Sequence, residues 1–379
     1  MKIFISFLQS KIQHPISAYG FWEYYIKNGI TEAGHDWLEA EDIDWAYGLV
    51  PQSEESLDNW KSDAWQKTLH FLKNNPVDLF LSYLYPNQID EEAIKEIKKM
   101  GIPCVNFFCD NVRNFQKIPK IFGVFDKNWV PEYQALAMYK KAGFNHIHLP
   151  MPMWIDPKYR KPGNVENGKV SFIGSKDLQR QLFFEQLLVK CPNLLIDIYG
   201  ANWMVGSEKI LDAKTSLTDK ALNQIDFIHK FGVKAFVNKL KSRQYIPTNN
   251  HKLNGLLKPK PNFEEYIQIT RESNITLGIN RYPSYQYPML NPNRYSRLRD
   301  IEAPMLGACY LTEWAEGLDE LYEIGTEIEV FSNEESLNDK IKALNDDQSL
   351  RKKLRINGQK RALQDHCIPN SLNKLMQSL

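Results

Sequence analysis

Apolar positions along the chain fall into two alternating rhythms. Short β-branched and aromatic runs, "KIFISFL", "VDLFLSYLY", "IPCVNFFCD" and "HIHLPM", recur in the amino-terminal half, and between them lie segments with helical spacing: "FWEYYIKNGITEAGH", "DEEAIKEIKKMG" and "PEYQALAMYKKAGF". Strands that alternate with helices need crossover connections, and the economical solution is a parallel sheet with helices on both faces. The segment Trp154 to Lys169, "WIDPKYRKPGNVENGK", breaks the rhythm with proline, glycine and charge and reads as a linker. A second alternation follows it. This runs through "VSFIGS", a helix from about Leu178 to Val189, "LLIDIYG", a long polar helical region, "NITLGIN", "RLRDIEAPMLGACYLTEWAEGLDEL", "EIEVFS" and two terminal helices. The pattern predicts an α/β protein of two doubly wound, Rossmann-like domains of similar size, with no internal repeat.

Length agrees with that division, since 379 residues exceed what one hydrophobic core usually fills. A 43% hydrophobic and 12% aromatic content can bury two cores, and a formal net charge of +1 argues against a nucleic-acid partner. The start, "MKIFISFLQSKIQHPISAYG", holds an apolar run too short for a signal-peptide core or a membrane span, so the expectation is a soluble, cytoplasmic protein. Cys104, Cys109, Cys191, Cys309 and Cys367 are scattered and odd in number, without C-x-x-C spacing, which points to reduced thiols rather than disulfides or zinc.

In open parallel sheets ligands bind beyond the carboxyl ends of the strands, so residues just after each predicted strand carry most weight. In the second half these are Gly174 and Ser175, followed by a helix carrying Arg180; Gly200 and Asn202, with Trp203 beyond; and Asn280 and Arg281. A small-residue turn into a helix offers free N–H groups to an anion such as phosphate, although plain turn punctuation is the competing reading. Pro304 lacks an N–H and is tolerated in a first helical turn, which places a helix start near Asp300. Arg297 and Arg299 then stand at the positive end of that helix, where added cations are unfavourable unless an anion is present. A diphosphate would resolve the conflict, and Glu302, one turn in, could hold two vicinal hydroxyls. The alternative is a dipole-stabilising Glu302 with solvated arginines.

The run "NRYSRLRDIEAPMLGACYLTEWAEGLDELYEIGTEIEVFSNEESLNDKI", with "SFIGS", "IDIYGANW" and "SNITLGINR" before it in order, resembles the carboxyl-terminal domain of group 1 type glycosyltransferases of the GT-B fold, and most closely the CgeB-like spore-maturation branch. "FWEYYIKNGITEAGHDW" and "FFCDNVRNF" are similar to its acceptor domain, with less specificity. The resemblance covers nearly the whole chain outside about 206–261. It implies an acceptor domain at 1–160, a nucleotide-sugar domain at 161–365 with a helical insertion at about 206–261, and a last helix, 366–379, crossing back to the first domain. The parallel sheets would face a central cleft. The implied activity is metal-independent transfer of a sugar to a glycan, lipid-linked or protein acceptor, without a cofactor. Glu302 would hold the ribose, Arg297 or Arg299 with the Gly174–Ser175 turn the diphosphate, and Gly200, Asn202 and Arg281 would line the donor site. Many retaining relatives carry paired glutamates eight apart; here Arg294 stands where the first would be, so a retaining outcome does not carry over. A phosphorylase or epimerase on the same fold, and a non-catalytic glycan-binding or coat-associated protein, are the other readings.

An inverting transferase needs a base at the acceptor hydroxyl. Candidates in the first half are Asp110 after "VNFFC", His14 after "FISFLQSKIQ" and Glu23 on a predicted helix, with Asp110 favoured over the ordinary loop-capping role of such a residue. Within the insertion, Ile225, Phe227, Ile228, Phe231, Val233, Phe236, Val237 and Leu240 are interleaved with Lys230, Lys234, Lys239, Lys241 and Arg243. A basic amphipathic helix over 220–245 packs on its own domain or touches an anionic membrane peripherally. The basic positions of the terminal helices read as a solvated face. No D-x-D metal motif stands near a donor position; "NDDQS" reads as an interhelix loop.

Overall fold

The computed structural model describes residues 1–12, 18–161, 163, 165–204, 237, 240, 251–284, 289 and 292–379. The chain divides into two compact units, Met1–Trp154 with Gln364–Leu379, and Ile155–Leu363.

Unit 1 holds strands β1 (Lys2–Ser6), β2 (Asp36–Leu38), β3 (Leu79–Ser82), β4 (Cys104–Phe107), β5 (Lys127–Val130) and β6 (His146–His148). They form one sheet in the order β2-β1-β3-β4-β5-β6, and every pairing is parallel, with Ile3 opposite Leu79 and Phe80 opposite Cys104. β3 and β4 are buried at every position, as strands covered on both faces must be. Aromatic rings fill the interior: Phe4 stacks on Phe80 at 5.3 Å and Phe7 on Phe107 at 5.8 Å between centroids. The Glu54–Asn74 helix begins where the Ser53 side chain accepts the Ser56 N–H, and it buries Ala64, Trp65, Thr68 and Leu72 at helical spacing. The Ile368–Ser378 helix packs on the Ala18–Glu32 helix, with Ile368 filling the space a side chain at Gly29 would need. Its first N–H donates to Met153 O at 3.0 Å, and Lys127 Nζ donates to Ser378 O at 2.6 Å.

Unit 2 holds β7 (Val170–Ile173), β8 (Asp197–Tyr199), β9 (Ile275–Gly278), β10 (Tyr310–Glu313) and β11 (Glu329–Phe331), all parallel, in the order β11-β10-β9-β7-β8. Phe172, Phe183, Phe184, Ile198, Leu277 and Leu311 are among its core residues. The Gln348–Asp365 helix corrects the expectation of a solvated basic face in part: Lys352, Lys353 and Lys360 are exposed, but two of its arginines are not. Arg351 and Arg355 are 5% and 3% exposed. Arg351 pairs with Glu166 at 2.6 Å and donates to Leu344 O at 2.6 Å, while Arg355 donates to the carbonyls of Arg271, Gly307 and Ser273. Burying a guanidinium is costly, and most of the donors of these two are met.

Both sheets share one topology. In each, the first strand lies between the second and the third, so the winding direction reverses between β1 and β3 in unit 1 and between β7 and β9 in unit 2. Crevices for ligands open at such points, outside the carboxyl ends of the strands.

Candidate active site

At the carboxyl ends of β7 and β8 the backbone closes on itself. The Gly174 N–H donates to Tyr199 O, the Lys176 N–H to Ala201 O and the Leu178 N–H to Ser284 O, at 2.9, 2.9 and 2.8 Å. Asp177 caps the Leu178–Lys190 helix by accepting from Gln179 and Arg180 N–H. Gly200, at φ +137°, lies so near the Gly174 carbonyl that no Cβ would fit, and Asn202 also has positive φ, +65°. Arg180 Nη1 donates to Ser175 O at 2.7 Å and Nε lies 3.4 Å from Asp177. These bonds correct the expectation of free N–H groups for phosphate here. The Gly174, Lys176 and Leu178 amides are taken, a carboxylate occupies the helix N-terminus, and Arg180 is committed to its own turn.

A charged network stands beyond β9 and β10. The Arg281–Tyr282 and Asn293–Tyr295 segments pair antiparallel, which brings Arg281 and Arg294 together. Between them lies Glu313, the last residue of β10, at 0% exposure. It accepts the N–H groups of Asn280 and Arg281, Arg281 Nη2 at 2.6 Å and Arg294 Nε at 2.7 Å. Burial pushes its carboxyl up, but Arg281 and then Arg294 more than offset this and hold it below the ordinary value. The Arg281 guanidinium stacks over Phe183 at 4.4 Å. Asn280 is consumed by Asp300, Thr312 and the Glu313 carbonyl.

Asp300 sits in the first turn of the Leu298–Met305 helix, fully buried. It accepts from the Arg297 N–H, Tyr310 O–H and Thr312 O–H at 2.8, 2.9 and 2.9 Å. Burial raises its proton affinity above the usual range. Arg297 lies over the Tyr295 ring at 4.7 Å and Arg299 over the Tyr266 ring at 4.9 Å. Neither makes an ion pair among the described residues, and Arg297 Nε with Arg299 Nε and Nη2 are buried without a hydrogen-bond partner there. Glu302, 3% exposed, accepts the Tyr266 O–H. The helix start therefore lies at Leu298, slightly earlier than expected, with Arg297 as its cap.

In unit 1, the carboxyl ends of β3, β4 and β5 bring polar groups together. Tyr85 O–H donates to Asp110 Oδ2 at 3.2 Å, and Tyr83 O–H lies 3.2 Å from Tyr85 O–H and 3.4 Å from Cys109 Sγ. Arg113 is 3.9 Å from Asp110. Glu132, just past β5, accepts the Asn111 N–H at 2.6 Å. Glu23 is held in a half-buried ion pair with Lys27 Nζ at 2.6 Å, on the same helix. His14 lies outside the described residues, as does the 220–245 region apart from Val237 and Leu240.

Residues 235–377 match the family model described as glycosyl transferase-like. No curated protein sequence matches the chain. Among solved structures, the sucrose-phosphate synthase from Thermosynechococcus elongatus is similar at TM-score 0.60 and 12% identity, over 99% of this chain and 98% of that one. Anabaena HepE in complex with UDP is similar at TM-score 0.57 and 13% identity, over 100% of both chains. A glycosyltransferase from Rickettsia africae ESF-5 is similar at 0.58 and 12% identity, over 99% and 97%. The fold is GT-B.

The family match takes in the whole network from Tyr266 to Glu313, and with the GT-B fold it marks the chain as an enzyme of glycosyltransferase type. Within this fold the structure sorts the four arginines. Arg281 and Arg294 are neutralised by Glu313, so Arg281 is not available as expected to a donor; Arg297 and Arg299 make no ion pair among the described residues, although the Glu302 charge is felt at Arg299. Reading the sequence missed Glu313, although it ends a buried strand and the same rule that picked Asn280 applies to it. Glu132, just past β5, falls under the same rule, but that short strand itself reads as loop in the sequence; Tyr266 carried no such signal. Among the described residues there is no cluster of His, Cys, Asp or Glu able to hold a metal ion, and no helix long and apolar enough to cross a membrane. A cavity of about 730 Å³ at the amino-terminal ends of β7 and β8 holds none of the expected site residues.

Proposed function

We propose that the chain transfers a sugar from a nucleotide sugar to an acceptor hydroxyl, and that the diphosphate is met by Arg297 and Arg299. The observation that carries this is the pair of guanidiniums at one helix N-terminus that make no ion pair among the described residues and keep buried N–H groups without a hydrogen-bond partner there, inside the residues matched by the glycosyl transferase-like model. A cation there is unfavourable alone and favourable beside an anion. Anabaena HepE is described in complex with UDP and with UDP-glucose, which makes UDP-glucose the first donor to test. Glu302 holds the ribose hydroxyls by sharing or exchanging its bond from Tyr266. Gly200 and Asn202 shape the donor side through their backbone. Transfer is metal-independent, the leaving diphosphate being stabilised by preorganised arginines.

Asp110 is the base. It takes the acceptor proton as the hydroxyl oxygen attacks the anomeric carbon and the bond to the nucleoside diphosphate breaks. Its bond from Tyr85 orients it. Placement near the CgeB-like branch and a glycan, lipid-linked or protein acceptor belong to the same proposal, resting on the sequence motifs quoted above.

Thermal unfolding of the native chain and of Glu302→Ala and Arg299→Ala, with UDP and UDP-glucose, tests the donor site. Ligand at about one hundred times its dissociation constant adds about 2.7 kcal/mol of stability. A UDP-dependent shift that both variants lose supports the assignment. Folded variants that keep the wild-type shift refute it.

A further inference from the structure

Glu132 opens the Tyr133–Ala142 helix as its cap residue and is 1% exposed, yet no cation pairs with it among the described residues. Oε2 accepts the Asn111 N–H at 2.6 Å, and Oε1 is buried without a hydrogen-bond partner there. Enclosing a carboxyl without a counter-charge is unfavourable, so an acid at this point calls for a reason beyond packing. The reason lies in what it holds. Asn111 follows Asp110 directly, and its side chain is fixed on both sides: Nδ2 donates to Phe108 O at 2.8 Å, and Oδ1 accepts the Tyr139 O–H at 3.0 Å. The Asp110 backbone is thus strapped by Glu132, Asn111 and Tyr139 while its carboxylate accepts from Tyr85.

We propose that Glu132 is a positioning residue, which aims the Asp110 carboxylate by fixing the Asn111 amide and reports its own ionisation to it. The inference rests on the reading of Asp110 as the acceptor base. Groups facing Glu132 are Asp110 and Cys109 on the loop after β4 and Tyr139 on its own helix. Burial pushes the Glu132 carboxyl up to about 8, with the Asp110 charge adding and hydrogen bonds from Asn111 and Val112 opposing. Below that pH Glu132 is neutral. Above it a second negative charge appears beside the base.

The test needs no known acceptor. In the full chain labelled with ¹³C-carboxyl aspartate, the Asp110 resonance is assigned by its loss in Asp110→Asn and followed against pH. Wild type should show a step near pH 8, from the ionisation of its neighbour. Glu132→Gln, nearly isosteric, should lack that step. Tyr139→Phe, which loosens the strap from its other side, should keep the step but shift the resonance. With UDP-glucose, UDP release by Glu132→Ala, which removes the acceptor of the Asn111 N–H, should fall on the order of a hundredfold in kcat with KM little changed, while Glu132→Gln, which keeps an acceptor oxygen, should hold its rate below pH 8. An Asp110 resonance that titrates identically in wild type and Glu132→Gln overturns the inference. The base reading fails separately, if Asp110→Asn keeps near-normal UDP release.

Discussion

Replacing Glu313 by glutamine keeps its shape and removes its charge, which isolates what the carboxylate does in unit 2. The native group accepts two backbone N–H bonds and the guanidinium bonds of Arg281 and Arg294. An amide nitrogen can accept none of these, and it would face an Arg281 donor with a donor of its own. Arg281, its side chain 10% exposed and held over Phe183, would keep a buried charge without a carboxylate. Removing one partner of such a pair costs about 3–5 kcal/mol, and the Arg294 side, 41% exposed, adds only about 0–1 kcal/mol. The expected loss is therefore about 3–5 kcal/mol, confined to unit 2. Because a chain of two units need not unfold in one step, hydrogen exchange of the β9 and β10 amides under increasing urea is the appropriate assay. Adding Arg281→Met should recover much of the loss, since the uncompensated charge leaves with it. Acid gives an independent check of sign. The folded-state pKa of Glu313 lies below its ordinary 4.5, so its contribution is present above that pH and fades as pH falls through the folded value; wild type and variant should converge there. A loss under about 1 kcal/mol, with additive behaviour in the double variant, would refute the clamp.

Gly200→Ala should destabilise unit 2 by on the order of 2–4 kcal/mol, read by urea unfolding, because its φ of +137° and the adjacent Gly174 carbonyl both exclude a Cβ. Arg355→Met strands the carbonyls of Arg271, Ser273 and Gly307 and should cost about 2–4 kcal/mol by the same measurement. Glu132 has a folded pKa raised from 4.5 to about 8, so stability should fall as pH rises through that interval, by up to roughly 5 kcal/mol at about 1.36 kcal/mol per pH unit. Glu132→Gln should flatten that slope in calorimetry across the same range. Transfer activity should survive chelation by EDTA; loss that is restored by added magnesium or manganese would contradict metal-independent transfer.

The architecture was legible because strands buried on both faces leave unbroken apolar runs, as "VDLFLSYLY" and "NITLGIN" do. Three elements escaped that pattern, among them β5, whose "KNWV" has only two apolar residues and reads as loop. β2 is three residues long with Asp36 exposed at the edge, and the Glu54–Asn74 helix shows mostly polar residues between Ala64, Trp65 and Leu72. The site was legible only in part. Position after a strand marks Gly200, Asn280 and Arg281 as near the ligand-binding edge, but it does not say which donors the fold itself consumes. Asn280, Arg180 and Arg281 proved to be structural partners, because Asp300, Asp177 and Glu313 reach them across the turn. Nor could spacing show that Arg297 and Arg299 rest on Tyr295 and Tyr266, which is how two cations are tolerated at a positive helix end.

The Ile368–Ser378 helix completes a unit whose sheet is otherwise made from residues 2–148. During synthesis, then, unit 1 leaves the ribosome without the side chain that covers Gly29, and the whole of unit 2 must be made before it arrives. Unit 2 faces a delay of its own, since Arg351 closes on Glu166 across a separation of 185 residues. A nascent chain stalled before position 368 would present an uncovered apolar helix face, which makes arrested intermediates of this protein natural clients for a chaperone and poor candidates for independent expression.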